Sequence, residues 1–202
     1  MNPILSRSLS RCLALTLVLL GLVGCGAMTA QNPSGTLRPV NAVADGPDSA
    51  VMLKGADVVA YFTQNQYTQG LPSLQSHYQG VTFRFASAEH KTLFDKDPTK
   101  YLPQYGGYCA NGVAYGIPWG GDADTWKMIN GKLYIFGGAA SRDAWLLDEP
   151  TNLQRAEHYW REEIAGHNSF WQRTKRLVFR VPHYQSGEQL AKAVADAKAR
   201  KP

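Results

Sequence analysis

Asn130-Gly131, set between the apolar runs WKMI and LYIF, is the feature that most restricts how this chain can fold. A two-residue loop joins antiparallel strands without splaying them only when both residues take positive φ, and Asn-Gly does so at least cost. The stretch WKMINGKLYIF therefore predicts a β-hairpin over Trp126–Phe136. A second hairpin is expected over Ser76–Phe85, where Tyr78, Val81, Phe83 and Phe85 stand around Gln79-Gly80. A lone hairpin is marginal in water, so helices must cover both.

The helices are marked by their ends. Ser87 opens one that carries Leu93 and Phe94, with Glu89 in the first turn, where the macrodipole favours a carboxylate. Asp57 is placed to cap a short turn before Val58–Phe62, and Asp97-Pro98 opens another turn leading to Tyr101. Gly106-Gly107 predicts a bend before a short helix over Cys109–Tyr115, which Gly112 interrupts. Ser141 is read as the cap of a helix bearing Trp145 and Leu146. Pro150 stops that helix and starts the next, where Leu153, Ala156, Trp160 and Ile164 form one stripe. Ser186 with Gln189 has the pattern of a capping box, but the mostly alanine face that follows predicts weak packing. The fold class is α+β: two antiparallel hairpins packed by short helices, with a C-terminal helical pair.

The ends of the chain read differently. Arg7 and Arg11 precede an uncharged apolar run, Cys12–Val23, of the length of a signal core and short for a membrane span. Leu22-Val23-Gly24-Cys25 resembles the lipobox of bacterial lipoproteins. The resemblance implies removal of residues 1–24, acylation of Cys25 and attachment in the cell envelope. With Gly26 in place of a retention-type Asp, it implies the outer membrane, facing the periplasm. Residues 25–50, rich in Pro, Gly, Ser and Asn, read as a flexible tether, residues 51–166 as the folded domain and residues 167–202 as a basic extension. From Cys25 to Phe170 there are 11 lysines and arginines against 14 acids; from Trp171 on there are 8 against 2. The positive charge thus belongs to the tail, where it suits an anionic surface or a solvated end. Nothing points to nucleic acid. The expected partners are the membrane, through the lipid, and an envelope protein or a metal ion.

The stretches KGADVVAYF, HYQGVTFRFASAEHKTLFDKDPTKYLPQYGGYCA, DTWKMINGKLYIF and AWLLDEPTNLQRAEHYW together resemble the exported single-domain YHS proteins of bacteria, over about Leu53–Trp160. The resemblance implies a small α+β YHS-like domain and a link to metal handling, copper above all. Metal-competent relatives carry an early Cys-Gly-Met and then Phe-Cys-Ser followed by Cys or His. Here the first is absent, and the second reads Phe85-Ala86-Ser87-Ala88-Glu89-His90, leaving His90 alone on a ligand-type position.

Loss of Cys12 with the leader and acylation of Cys25 would leave Cys109 as the one free thiol of the mature chain. Three roles stay open for it. As a soft donor with His90, His77 and a methionine such as Met128, it would suit copper or zinc. At a helix start beside a histidine, it would suit nucleophilic or redox chemistry. As a small apolar group, it would be core. Tyr105, Tyr108, Tyr115 and Trp119 either line a groove beside Gly120-Gly121 or fill the interior. The functional expectation is a non-enzymatic binding module for a metal ion or its carrier. The alternatives are a structural or interaction lipoprotein and, third, a thiol enzyme.

Overall fold

A computed structural model describes residues 29–200, so the expected leader, Cys12 and the expected lipidation site Cys25 lie outside the described residues. The strands are β1 (Ala42–Asp45), β2 (Asp48–Met52), β3 (Leu71–Tyr78), β4 (Val81–Phe85), β5 (Asp122–Ile129) and β6 (Lys132–Phe136). The helices are α1 (Ala60–Thr63), α2 (Ala88–Lys96), α3 (Pro98–Tyr101), α4 (Ala110–Val113), α5 (Ala139–Trp145), α6 (Glu149–Tyr159), α7 (Ser169–Val178) and α8 (Gly187–Ala199). The architecture is α+β, as the hairpins and caps imply.

Both predicted hairpins form, and their turns explain why. Asn130 and Gly131 take φ of 49° and 72° between β5 and β6. Gln79 and Gly80 take 54° and 80° between β3 and β4. Ser87 caps α2, its hydroxyl accepting from His90 N–H at 3.1 Å. Ser141 does not cap α5. Gly138, at φ 104°, sits at the cap position, and Ser141 is the third residue of the helix.

The expected tether is corrected by the sheet. Strand order is β1-β2-β4-β3, with β2 parallel to β4, so residues 42–52 supply two of its four strands. Val40, Ala42 and Ala50 are buried in its core. The buried Arg84 guanidinium on β4 reaches Asp45 at 2.5 Å and Asp48 at 3.0 Å, clamping the β1–β2 turn onto the central strand. Apolar burial and a shielded ion pair outweigh the entropy that a Pro/Gly-rich segment gains by staying loose. The sheet packs on α2 through Phe83, Phe85 and Phe94, whose rings lie 4.6 and 5.2 Å apart. A second core forms around β6, α4, α5 and α6, with Tyr108, Phe136 and Trp145 enclosed.

The boundary at residue 166 is corrected too. The N–H of Ser169 donates to Asn32 Oδ1 at 2.9 Å, and Asn32 Nδ2 donates to Ser169 Oγ at 3.2 Å, tying α7 to the N-terminal segment. Gln172 donates to the carbonyl of Gly116 at 2.9 Å and to Glu163 at 3.0 Å. Arg176 also pairs with Glu163 and packs over Gly116, whose φ of 72° favours glycine. Val181, Tyr184 and Leu190 pack against Tyr115 and Ile117, and His183 stacks on Tyr115 and hydrogen-bonds the Ala114 carbonyl at 2.9 Å. These contacts seat α8, which the alanine-rich face alone did not predict.

Burial by itself raises the Glu163 carboxyl, but hydrogen bonds from Lys175 and Gln172 and the charge of Arg176 outweigh it and hold it below its ordinary value. A carboxyl held low in the fold contributes stability above its unfolded value near 4.5, and that contribution is lost as pH falls from there through the folded-state value. Acid unfolding followed by circular dichroism should therefore be steeper below about pH 4.5 in the parent than in Glu163→Gln. Superimposable acid limbs would show that the cluster adds nothing.

Candidate functional site

Cys109 is positioned by backbone that only part of the sequence could have announced. Tyr105, Gly106 and Gly107 take φ of 55°, 59° and 75°, three left-handed residues in succession, and reverse the chain ahead of the thiol. Asn41 locks that bend: its Nδ2 donates to the Gly107 carbonyl at 3.0 Å and to the Gly121 carbonyl at 2.8 Å. Cys109 then stands at the cap position of α4, its sulfur accepting from Gly112 N–H at 3.4 Å. The predicted helix start holds, although the helix itself ends at Val113.

The sulfur also lies 3.2 Å from Ser141 Oγ on α5. Both face a cavity of about 430 Å³. Trp119 and Gly120 form one side, Gly137 and Ala140 another, and Tyr184, Leu190 and Ala191 close it from the C-terminal segment. A Cβ on Gly137 would stand 3.2 Å from the Gly120 carbonyl oxygen and 3.6 Å from the sulfur, so the tight neighbour there is backbone.

Asn111 completes the floor. Its residue is 5 % exposed, it lines the cavity, and its side-chain amide makes no hydrogen bond among the described residues. Its amide is therefore free to hydrogen-bond a molecule in the cavity.

The lining holds no Asp, Glu, His, Lys or Arg. No charge in the lining selects a charged guest. A Cys–His pair is not formed. His183 serves the Ala114 carbonyl, His167 lies 3.1 Å from the Ala165 carbonyl, and His158 packs on the Tyr159 ring.

The expected ligand set is likewise not assembled. His90 Nδ1 donates to Asp57 Oδ2 at 2.6 Å, and its Nε2 lies 3.2 Å from Thr63 Oγ1. His77 is exposed on β3, with Nδ1 3.1 Å from Thr82 Oγ1. Met128 packs against the sheet core. Cys109, His90 and His77 thus keep separate partners, and among the described residues no group of three His, Cys, Asp or Glu side chains is arranged to hold a metal. Copper and zinc do not fit these donors. The reason is local: the helix that carries His90 turns its ring inward to Asp57, which also accepts from Val59 N–H at 2.9 Å and Ala86 N–H at 2.8 Å.

Of the aromatic residues proposed for a groove, Trp119 lines the cavity. Tyr105 and Tyr108 are core, and burial pushes the Tyr108 hydroxyl up to about 12 against the opposing effects of Ser169 and Arg173. Sequence reasoning missed Asn41, Asn111 and Ser141 as site residues. The residues of the far wall lie in a segment read as an appendage.

Comparison with protein-family models, with curated proteins and with solved structures returned no match for this chain.

Proposed function

We propose that this chain is a cell-envelope binding module, anchored through an acylated Cys25, that takes a neutral and largely apolar small molecule in the cavity over Cys109. The observation that carries the reading is the cavity itself, whose lining holds no charged side chain and includes Asn111, an amide with no hydrogen bond to any described residue. Its oxygen and nitrogen offer one acceptor and two donors, enough to orient an amide, hydroxyl or amine. Trp119, Tyr184 and Leu190 supply apolar surface, in the manner of small-molecule sites generally. Copper or zinc would meet a single thiol here and no imidazole, so a small molecule suits the cavity better than an ion. The resemblance to exported YHS proteins and the lipobox support the envelope setting, with the outer membrane as the proposed location.

N-phenyl-1-naphthylamine, a neutral dye whose N–H can donate to Asn111, tests the cavity. Its fluorescence is expected to rise on binding and to be lost when Cys109 is capped with N-ethylmaleimide or when Leu190→Trp fills the wall. Asn111→Ala should weaken binding by about tenfold, the worth of one hydrogen bond, with no loss of thermal stability. Trp171→Asp, remote from the cavity lining, should bind the dye as the parent does. Undiminished fluorescence in both the capped and the Leu190→Trp proteins would remove the reading.

A further inference from the structure

Helix α7 is built inside out. Its inward side is polar: Ser169, Gln172, Arg173 and Arg176 face Asn32, Gly116, Pro118 and Glu163. Its outward side is apolar apart from Thr174, whose hydroxyl donates back to the Phe170 carbonyl at 3.0 Å. Phe170, Trp171, Leu177 and Val178 fall on one arc of the helix, Phe179 follows at its end, and the last four are between 65 and 70 % exposed. Scattered exposed apolar residues need no explanation, but a contiguous set of this kind marks a covered surface. Among the described residues no helix is long and apolar enough to cross a membrane, so any bilayer contact by α7 is made from the side.

The geometry points to a bilayer interface as the cover: α7 lies flat on the membrane with Phe170, Trp171, Leu177, Val178 and Phe179 among the headgroups and upper acyl chains. Two observations choose this occupant over a protein. First, Gln31 and Asn32 are hydrogen-bonded to Arg173 and Ser169, so the chain arrives from its N-terminal side directly at α7. Cys25 is six residues before Gln31, and six residues span at most about 20 Å. An acyl chain on Cys25 therefore holds α7 close to the lipid surface. Second, Lys175 and Arg180 are exposed and border the apolar arc, where their positive charge complements anionic headgroups. Tryptophan beside aliphatic residues with basic neighbours is the composition of interfacial helices. The inference rests on acylation at Cys25 but is independent of the cavity.

The test uses the acylated protein from the envelope, reconstituted into phosphatidylcholine–phosphatidylglycerol vesicles with brominated acyl chains. Trp171 is read as the difference between the parent and Trp171→Phe. Its emission is expected to be quenched by bromine, and Leu177→Asp/Val178→Asp should abolish that quenching and raise quenching by aqueous acrylamide about fivefold, because the helix then leaves the interface. Unchanged melting temperatures would show that these exposed substitutions spare the fold. Trp171 open to acrylamide in the parent would overturn the proposal. So would Trp171 shielded from both quenchers together with cross-linking between copies through Leu177→Cys, which would assign the face to a second copy. The mass of the purified protein reports acylation separately. An unacylated chain that still meets bromine would uphold the helix and remove the anchor.

Discussion

Asp57→Ala is expected to remove about 3–5 kcal/mol of folding stability, because several buried donors lose their shared acceptor at about 1–3 kcal/mol each. Asp57 is wholly buried. Its Oδ1 accepts from the N–H groups of Val59 and Ala60, and its Oδ2 from Ala86 N–H and His90 Nδ1. One carboxylate thus joins the start of α1, the end of β4 and the ring on α2. Alanine leaves these donors without an acceptor in a place water does not reach, and each unmet donor is costly. Asp57→Asn keeps one oxygen but turns an NH₂ toward other donors, so an intermediate loss is expected. Equilibrium urea unfolding reads all three proteins. A loss below about 1 kcal/mol for alanine would mean that the surrounding donors find other partners and that the bracket is dispensable.

Trp145→Ala is expected to cost about 3–5 kcal/mol as well, by a different mechanism. The indole is fully buried in the second core, with ring centres 5.7 Å from Phe136 and 6.4 Å from Tyr134. Alanine leaves a cavity that the short elements around it cannot close. Trp145→Phe should cost far less, within about 1 kcal/mol, because among the described residues the buried indole N–H has no partner and its removal relieves an unmet donor. The pair separates volume from hydrogen bonding. If phenylalanine proved as damaging as alanine, the N–H would have to be satisfied in solution, and the ordering of the two variants in urea decides it.

How far the fold could be read from residues depended on the range of the interactions that specify each part. Asn130-Gly131 and Gln79-Gly80 specify their turns through φ alone, and Ser87 and Ser186 cap their helices through hydrogen bonds three residues away. Those elements were legible. The segment Ala42–Met52 was not, because its strands are short, its turn is Gly-Pro, and its place depends on Arg84, some forty positions distant. His90 illustrates the same limit at a candidate site. Spacing put a ligand-type residue on a helix, but it could not show that Asp57 occupies the ring from 33 residues away.

Local chemistry in the sequence determined the hairpins, the helix caps and the bend before Cys109, since each needs only a few neighbouring residues to lower its own free energy. Tertiary structure alone decided what surrounds the sulfur and which way α7 faces. The cavity exists because Asn41 holds the Gly107 bend to the loop before β5 and because Tyr115 and Ile117 receive Val181, Tyr184 and Leu190. A helical period shows which residues share a side. Whether that side turns inward is decided by the partners on offer, and for α7 these are the Gly116 and Pro118 carbonyls and the Glu163 carboxylate, which favour its polar face.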